Sequence, residues 1–300
     1  MIEIASGENI GKAAPTQIEA PRVSVGLPVY NGASTINVAI SAILGQSFRD
    51  FELIISDNCS SDNTVEICEA AAKSDRRIRI LRQKQNRGPV ANFGAVLEAA
   101  RAPFFMFAAA DDWMEPHFID ETLSALEAVP EAVACAPRTL FHCEDGRCRE
   151  ARGSAPINGP GWWRPARFLM RTTDNSRFYG LYRTEVMRST YLYDDRYYGL
   201  DVAVSAMTLA QGSHVQSCSI ILHIHLGDPN KYYRAHLQDA PGLLDRLFPA
   251  GRMSAALLAR LRPEQVPLAV PALLVYNVMK FGHVIASWMR EHFGIRADIR

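Results

Sequence analysis

Two adjacent carboxylates, Asp111 and Asp112, follow the apolar run Pro103–Ala109 in a chain of 300 residues. At the lip of a sheet they would repel each other unless positive charge lay beside them. A divalent cation, Mg2+ or Mn2+, meets that need with one or two carboxylates, a few waters and the phosphates of a substrate. Such an ion would stabilise the charge that builds on a departing diphosphate. The plainer alternative is that one Asp caps the next helix and the other is solvated. Asp57 likewise follows an apolar run, Phe51–Ile55. A carboxylate there could accept hydrogen bonds from a base or ribose hydroxyls, or it could brace the turn Asn58–Ser61. Asp62 reads as a helix cap.

These acids need elements that hold them. Val23–Val29 is a β-branched run, hence a strand, and Ile36, Ile40, Ile43 and Leu44 recur at helical spacing behind Ser34 or Thr35. Phe51–Ile55, Arg77–Arg82, Pro103–Ala109 and the short Ala132–Ala136 read as further strands. Helices carrying Val65, Cys68 and Ala72, then Phe93, Leu97 and Ala100, fall between them. Pro116 suits the first position of a helix bearing Ile119, Leu123 and Leu126. This alternation predicts an α/β fold with a mostly parallel, Rossmann-like sheet flanked by helices. Ligands of such sheets bind beyond the carboxyl ends of the strands, where these acids lie. From Arg138 to 165 the pattern breaks into Arg, Gly, Pro and Trp, as loops would, and from Asp239 the text turns helical. The expected organisation is a flexible arm at 1–20, a nucleotide-binding part at 21–137, an acceptor part at 138–236 and a helical extension at 237–300.

Bulk properties narrow the function. The 32 basic and 32 acidic residues cancel, against the basic excess of a sequence-independent nucleic-acid binder. Six cysteines form no CxxC pair, and His142, Cys143 and Cys148 fit no usual zinc spacing. No apolar leader opens residues 1–20, so a cytoplasmic setting with free thiols is the expectation. No apolar run of about 18 residues occurs. Val266–Trp288 comes nearest and is interrupted by Pro267, Pro271, Asn277, Lys280 and His283. That segment could pack on the body or lie along a membrane surface. The glycines of Gly7 to Lys12 are spaced one residue short of a phosphate loop.

Taken together, Pro28-Val29-Tyr30-Asn31, Asp57-Asn58-Cys59-Ser60-Ser61-Asp62 and Asp111-Asp112 resemble the family 2 glycosyltransferases of GT-A fold. Gln46-Ser47-Phe48, Phe51-Glu52-Leu53-Ile54-Ile55 and Asn86-Arg87-Gly88 extend the resemblance, which is strong over about residues 22–130. It implies that Pro28, Tyr30, Asn31 and Asp57 hold a nucleoside, with Asp57 on the base and Arg82 or Lys84 nearby. The family's Asp-x-Asp falls on Ala109-Ala110-Asp111, so its first acid, the usual ribose contact, is missing. The metal position is retained as Asp111, with Asp112 beside it. The resemblance also calls for a general base before a downstream helix, and Asp201 in Tyr197-Tyr198-Gly199-Leu200-Asp201 fits, with Asp194 and Asp195 as rivals. Tyr233-Arg234-Ala235-His236 resembles the family's Tyr-Arg-x-His segment, placing Arg234 on the diphosphate and His236 near the metal. Phe178–Arg183 resembles a strand beneath the acceptor site.

Trp113, Trp162 and Trp163 offer aromatic faces to an acceptor sugar, although core packing claims at least one of them. His223 and His225 alternate in a strand-like stretch and read as structural. The expected activity is an inverting transfer from a nucleotide diphosphate sugar, UDP-linked by expectation, to the hydroxyl of a glycan or lipid-linked glycan. Bacterial surface polysaccharide assembly, in the cytoplasm or at the inner face of the membrane, is the setting the family suggests. Two other readings compete. One is a catalytically silent member of the same fold, motivated by Ala109. The other is an enzyme making the sugar nucleotide itself, which Tyr30-Asn31-Gly32-Ala33-Ser34 disfavours because it contains no Lys or Arg.

Overall fold

The computed structural model describes residues 20–143, 146–171, 174–193, 199–226, 242, 244–245 and 248–293. Strand β1 (Val23–Val29) and strand β2 (Phe51–Asp57) are buried at every residue, because both faces of the sheet are covered. Between them runs α1 (Ile36–Leu44), and α2 (Thr64–Ser74) leads on to β3 (Ile78–Arg82). Helix α3 (Gly88–Ala99) precedes β4 (Phe104–Phe107), and these four strands lie parallel in the order β3-β2-β1-β4. The chain therefore extends the sheet on one side of β1 and then crosses to the other, opening a crevice beside the end of β1. A side chain at Gly26 would meet Val96 at 2.7 Å and Phe105 at 2.8 Å, so glycine lets α3 and β4 close on β1.

The second half departs from a parallel pattern. A two-residue strand, β5 (Trp113–Met114), precedes α4 (Phe118–Glu127). The helix begins after Pro116, not at it, because the preceding residues are drawn into pairing with β9 (Ser213–Leu226). Strand β6 runs over Ala132–Cys143, beyond the expected Ala132–Ala136, and β7 (Cys148–Glu150) folds back on it, so part of the expected loop region is strand. Only the inner half of β6 is continuously buried. The outer half is carried by its ladder to β9, a partner far away in sequence.

The described second half also contains α5 (Arg164–Arg171), a 3-10 turn (Ser176–Tyr179), β8 (Leu181–Arg183), α6 (Thr184–Thr190) and α7 (Leu200–Gln211). Strand β8 lies antiparallel between β4 and β6. Helices α8 (Gly251–Leu258) and α9 (Val266–Phe293) follow. One apolar core lies under α1, α2 and α4, another beneath α3 and α6, and a third joins α5 and α7 to α8 and α9. Among the described residues no helix is long and apolar enough to cross a membrane.

At the amino end of the sheet, opposite the crevice, Glu52 is 4% exposed. It accepts hydrogen bonds from Ser24 Oγ (2.8 Å), Arg101 N (2.9 Å) and Arg79 Nη1 (2.7 Å). Burial pushes its pKa up, but the bonds from Arg101, Arg79 and Ser24 outweigh this and hold it below the usual value. Removing the carboxylate strands these donors. Glu52→Ala is expected to cost about 3 kcal/mol in urea unfolding, and a loss below about 1 kcal/mol would assign the cluster to the surface class of ion pairs.

Candidate active site

Beyond β1 and β2 the chain forms two loops that are bound to each other. Asn31 N–H donates to Ser60 Oγ (2.9 Å), and Ser61 N–H donates to Asn31 Oδ1 (2.8 Å). Gly32 N–H donates to Thr64 Oγ1 (2.9 Å) and Ala33 N–H to Asp62 Oδ2 (3.1 Å). Asn31 and Cys59 hold left-handed backbone conformations, with φ of 50° and 64°, and both lie in this double loop. Asn is among the residues that tolerate that region, and Cys is not, so Cys59 stores local strain. Asp62 also accepts from Thr64 N–H at 3.1 Å, but it stands one residue ahead of the helix cap, which is Asn63 and makes no side-chain capping bond, so Asp62 braces the loop instead of capping the helix.

Asp57 ends β2 opposite Val29 of β1 and Arg82 of β3. Only 3% of it is exposed. Its Oδ2 accepts from Ser60 N–H at 3.1 Å, while its buried Oδ1 has no partner among the described residues. A buried carboxylate oxygen is normally satisfied, so this one suits a donor brought by a ligand. Pro28 is buried in β1, and Tyr30 projects with half its surface exposed. The guanidinium of Arg82 pairs with Glu69 on α2.

The acid pair emerges after β4, across the crevice from β1. Asp111 is exposed and Asp112 buried. Asp112 Oδ1 accepts from His225 N–H at 3.2 Å, tying the β4 end to β9. Burial and then the Asp111 charge push the Asp112 pKa up to about 7, with the His225 bond pulling the other way. Among the described residues no Lys or Arg pairs with either acid, and no three His, Cys, Asp or Glu side chains converge to hold a metal alone. The uncompensated charge fits a cation completed by waters and ligand phosphates, with Asp111 as the accessible carboxylate.

Trp113 stacks on His223 at 4.9 Å and 2°, with His142 and His225 at 4.8 and 5.0 Å. One face of this indole is therefore occupied by imidazole. His142 Nε2 lies 3.0 Å from His223 Nδ1, and His223 Nε2 lies 3.0 Å from Glu115 Oε1. Cys148 Sγ closes the other end, 3.4 Å from His142 Nδ1. Burial, with the neighbouring His223 and His225, lowers the pKa of His142.

Asp201 lies in the first turn of α7. The cap is Gly199, whose φ of 78° suits glycine, and no side-chain bond caps the helix. Asp201 Oδ2 instead accepts from Asn175 Nδ2 at 2.9 Å, and Asn175 Oδ1 accepts from Ser205 Oγ at 3.0 Å. Trp162 is 47% exposed, with the Trp163 ring 6.3 Å away, just before α5. Arg234, His236, Asp194 and Asp195 lie outside the described residues.

Three asparagines that sequence reasoning left unassigned organise this site. Asn175 aims Asp201. Asn92 donates to Val29 O (3.2 Å) and Ser56 O (3.0 Å), closing the ends of β1 and β2. Asn58 Oδ1 accepts from Arg87 N–H at 2.9 Å and its Nδ2 donates to Asn86 Oδ1 at 2.8 Å, joining the loops after β2 and β3. Of the three, only Asn58 lies in one of the segments that follow the strands in the sequence.

The model of the family described as Glycosyl transferase family 2 matches residues 24–195. EpsH of Bacillus subtilis (strain 168) is 34% identical over 119 residues, 39% of this chain and 34% of that one. GalNAc(5)-diNAcBac-PP-undecaprenol beta-1,3-glucosyltransferase of Campylobacter jejuni is 37% identical over 93 residues, 31% of this chain and 30% of that one. The chain thus spans about a third of the length of these relatives. Among solved structures, S. aureus TarS 1-349 in complex with UDP-GlcNAc aligns with a TM-score of 0.56 at 16% identity, over 90% of this chain and 85% of that one. Mannosyltransferase PcManGT from Pyrobaculum calidifontis, in complex with GDP-Man and Mn2+, aligns with a TM-score of 0.53 at 15% identity, over 94% and 90%. The α/β sheet with its loop-borne acids is the GT-A fold of these structures, and the chain belongs to glycosyl transferase family 2.

Proposed function

We propose that this chain is an inverting, metal-assisted glycosyltransferase acting by single displacement. The observation that carries the proposal is the acid pair after β4, which no Lys or Arg neutralises among the described residues. The nucleoside, UDP by this reading, lies against Pro28, Tyr30, Asn31 and Asp57, with its base donating to the free Asp57 oxygen. Arg82 would have to leave Glu69 to take part, and Arg234 is assigned to the diphosphate. A bound Mg2+ or Mn2+ ion, held by Asp111 with Asp112 and His236 alongside, supplies charge stabilisation to the departing diphosphate.

Asp201 accepts the proton of the acceptor hydroxyl as its oxygen attacks the anomeric carbon and the bond to the diphosphate breaks. Asn175 fixes that carboxylate. Trp162 and Trp163, with Trp113, receive the acceptor glycan. The donor is placed in residues 21–137 and the acceptor in 138–236, with 237–300 as a helical extension. Likeness to an undecaprenol-linked glycan transferase and to structures holding UDP-GlcNAc and GDP-Man supports bacterial glycan assembly and a sugar nucleotide donor. A cytoplasmic enzyme at the inner membrane face follows from this reading. The exposed apolar side of α9, with Leu274 at 64% and Val278 at 71% exposure, would rest on lipid.

A silent, nucleotide-binding role is favoured by Ala109 alone. Calorimetry with UDP and Mn2+, followed by a donor-hydrolysis assay, separates the two, since binding without turnover of any donor would select the silent reading. Asp111→Ala and Asp201→Asn are each expected to lower transfer at least about 100-fold with the fold intact. Full activity in both rules the assignment out. In the metal-free protein the Asp112 carboxyl titrates at about 7 in place of 3.8. Between those values the unfolded chain loses this proton before the native one does, so stability falls as pH rises through that window. The loss is at most about 4 kcal/mol, at about 1.4 kcal/mol per unit. Thermal unfolding of Asp112→Asn should lack this slope, and an unchanged profile contradicts the assignment. Sedimentation with anionic vesicles should retain the full chain and release the Leu274→Glu/Val278→Glu variant. Equal retention of both would remove α9 from the membrane.

A further inference from the structure

Helix α9 carries a charge on its inward face. Ala269, Leu273 and Tyr276 are buried at 0, 3 and 1% exposure. They recur at the spacing of one helical face, and the next position on it is Lys280. An aliphatic residue would complete the stripe. The opposite face holds Val270, Leu274, Val278 and Ile285, all exposed.

The Lys280 ammonium lies 5.2 Å from the centre of the Tyr276 ring. The Tyr276 hydroxyl stands 3.4 Å from the position a Cβ would take on Gly199, the residue that opens α7. This brings Lys280 to the same helix end as Asp201, and the two charges interact through space. They form no ion pair, and Asp201 Oδ2 is occupied by Asn175. Burial lowers the lysine pKa, against an upward pull from Asp201. Among the described residues Lys280 has no carboxylate within ion-pairing distance.

A part-buried ammonium without a counter-ion is unfavourable unless something supplies the charge. Contact with an aromatic face recovers only part of that cost. With the donor's diphosphate taken by Arg234 and by the ion at Asp111, and with no counter-ion among the described residues, an acceptor bound beside Asp201 is the ligand that can bring an anion to Lys280. We propose that Lys280 binds a phosphate group of the acceptor, making this transferase selective for phosphorylated glycan carriers over neutral glycans. The inference rests on Asp201 marking the acceptor side. A lipid diphosphate and a soluble sugar phosphate share this chemistry.

The test measures equilibrium binding to the full chain by calorimetry, without donor, using farnesyl diphosphate, glucose 1-phosphate and neutral octyl glucoside. Lys280→Met keeps the length and apolar stem of the side chain, and Lys280→Arg keeps the charge. Lys280→Met should weaken farnesyl diphosphate binding at least tenfold, and Lys280→Arg should restore it to within about threefold of wild type. The preference for the phosphorylated ligand over octyl glucoside should fall by the same factor. Tight binding of glucose 1-phosphate identifies the soluble source, and binding of farnesyl diphosphate alone identifies the lipid source. Equal affinities in wild type and Lys280→Met overturn the proposal. If Lys280→Met does not fold, Lys280→Gln takes its place under the same criteria. Asp201→Asn separates the two readings. Transfer that persists in that variant removes the base assignment while Lys280-dependent binding still stands, whereas an inactive Asp201→Asn with Lys280-independent binding removes this proposal alone.

Discussion

Strands β1 and β2 bury every residue on both faces, so polar groups within reach of a ligand gather where those strands end. That constraint arranges the rest of the molecule. Asp57 follows directly on a buried run, Asp111 and Asp112 follow shortly after another, and the crevice at β1 brings the two loop systems face to face. The loops cannot lean on a regular ladder, and they compensate with side-chain bonds to one another's backbone. Asn31, Ser60, Asp62 and Thr64 satisfy amides that a looser loop would leave to water.

Much of this was legible in the sequence because the signals were local. Val23–Val29 is bounded as its β-branched run suggests, and α1 starts at Ile36, where helical spacing begins. The second half was less legible because its pairings span long separations. β8 is three residues long and joins β4 to β6, and the outer part of β6 depends on β9, about 80 residues away. A three-residue strand has no periodicity to read, and its partners are visible only in three dimensions.

The same limit applies to the site. The acids stood out because their position after apolar runs is unusual, while the groups that aim them did not. Asn175 sits in a polar stretch without pattern and acquires its role from Ser205 and Asp201, on a helix about 30 residues later. Asn92 is one residue of a helix and gains meaning only when its amide meets the ends of β1 and β2. Asp112 looked like a twin of Asp111, but the fold separates them, leaving one in solvent and fastening the other to β9.

Trp113 makes this arrangement visible to spectroscopy. Its indole, one residue from Asp112, lies flat against the His223 imidazole, which sits between Glu115 and His142. A protonated imidazole withdraws excitation from a stacked indole, and a neutral one does so far less. The pair is thus a fluorophore with its quencher already in contact, placed next to the acids. Any event that shifts β9 against the β4 end alters the emission of one tryptophan among the four in the chain, without a label.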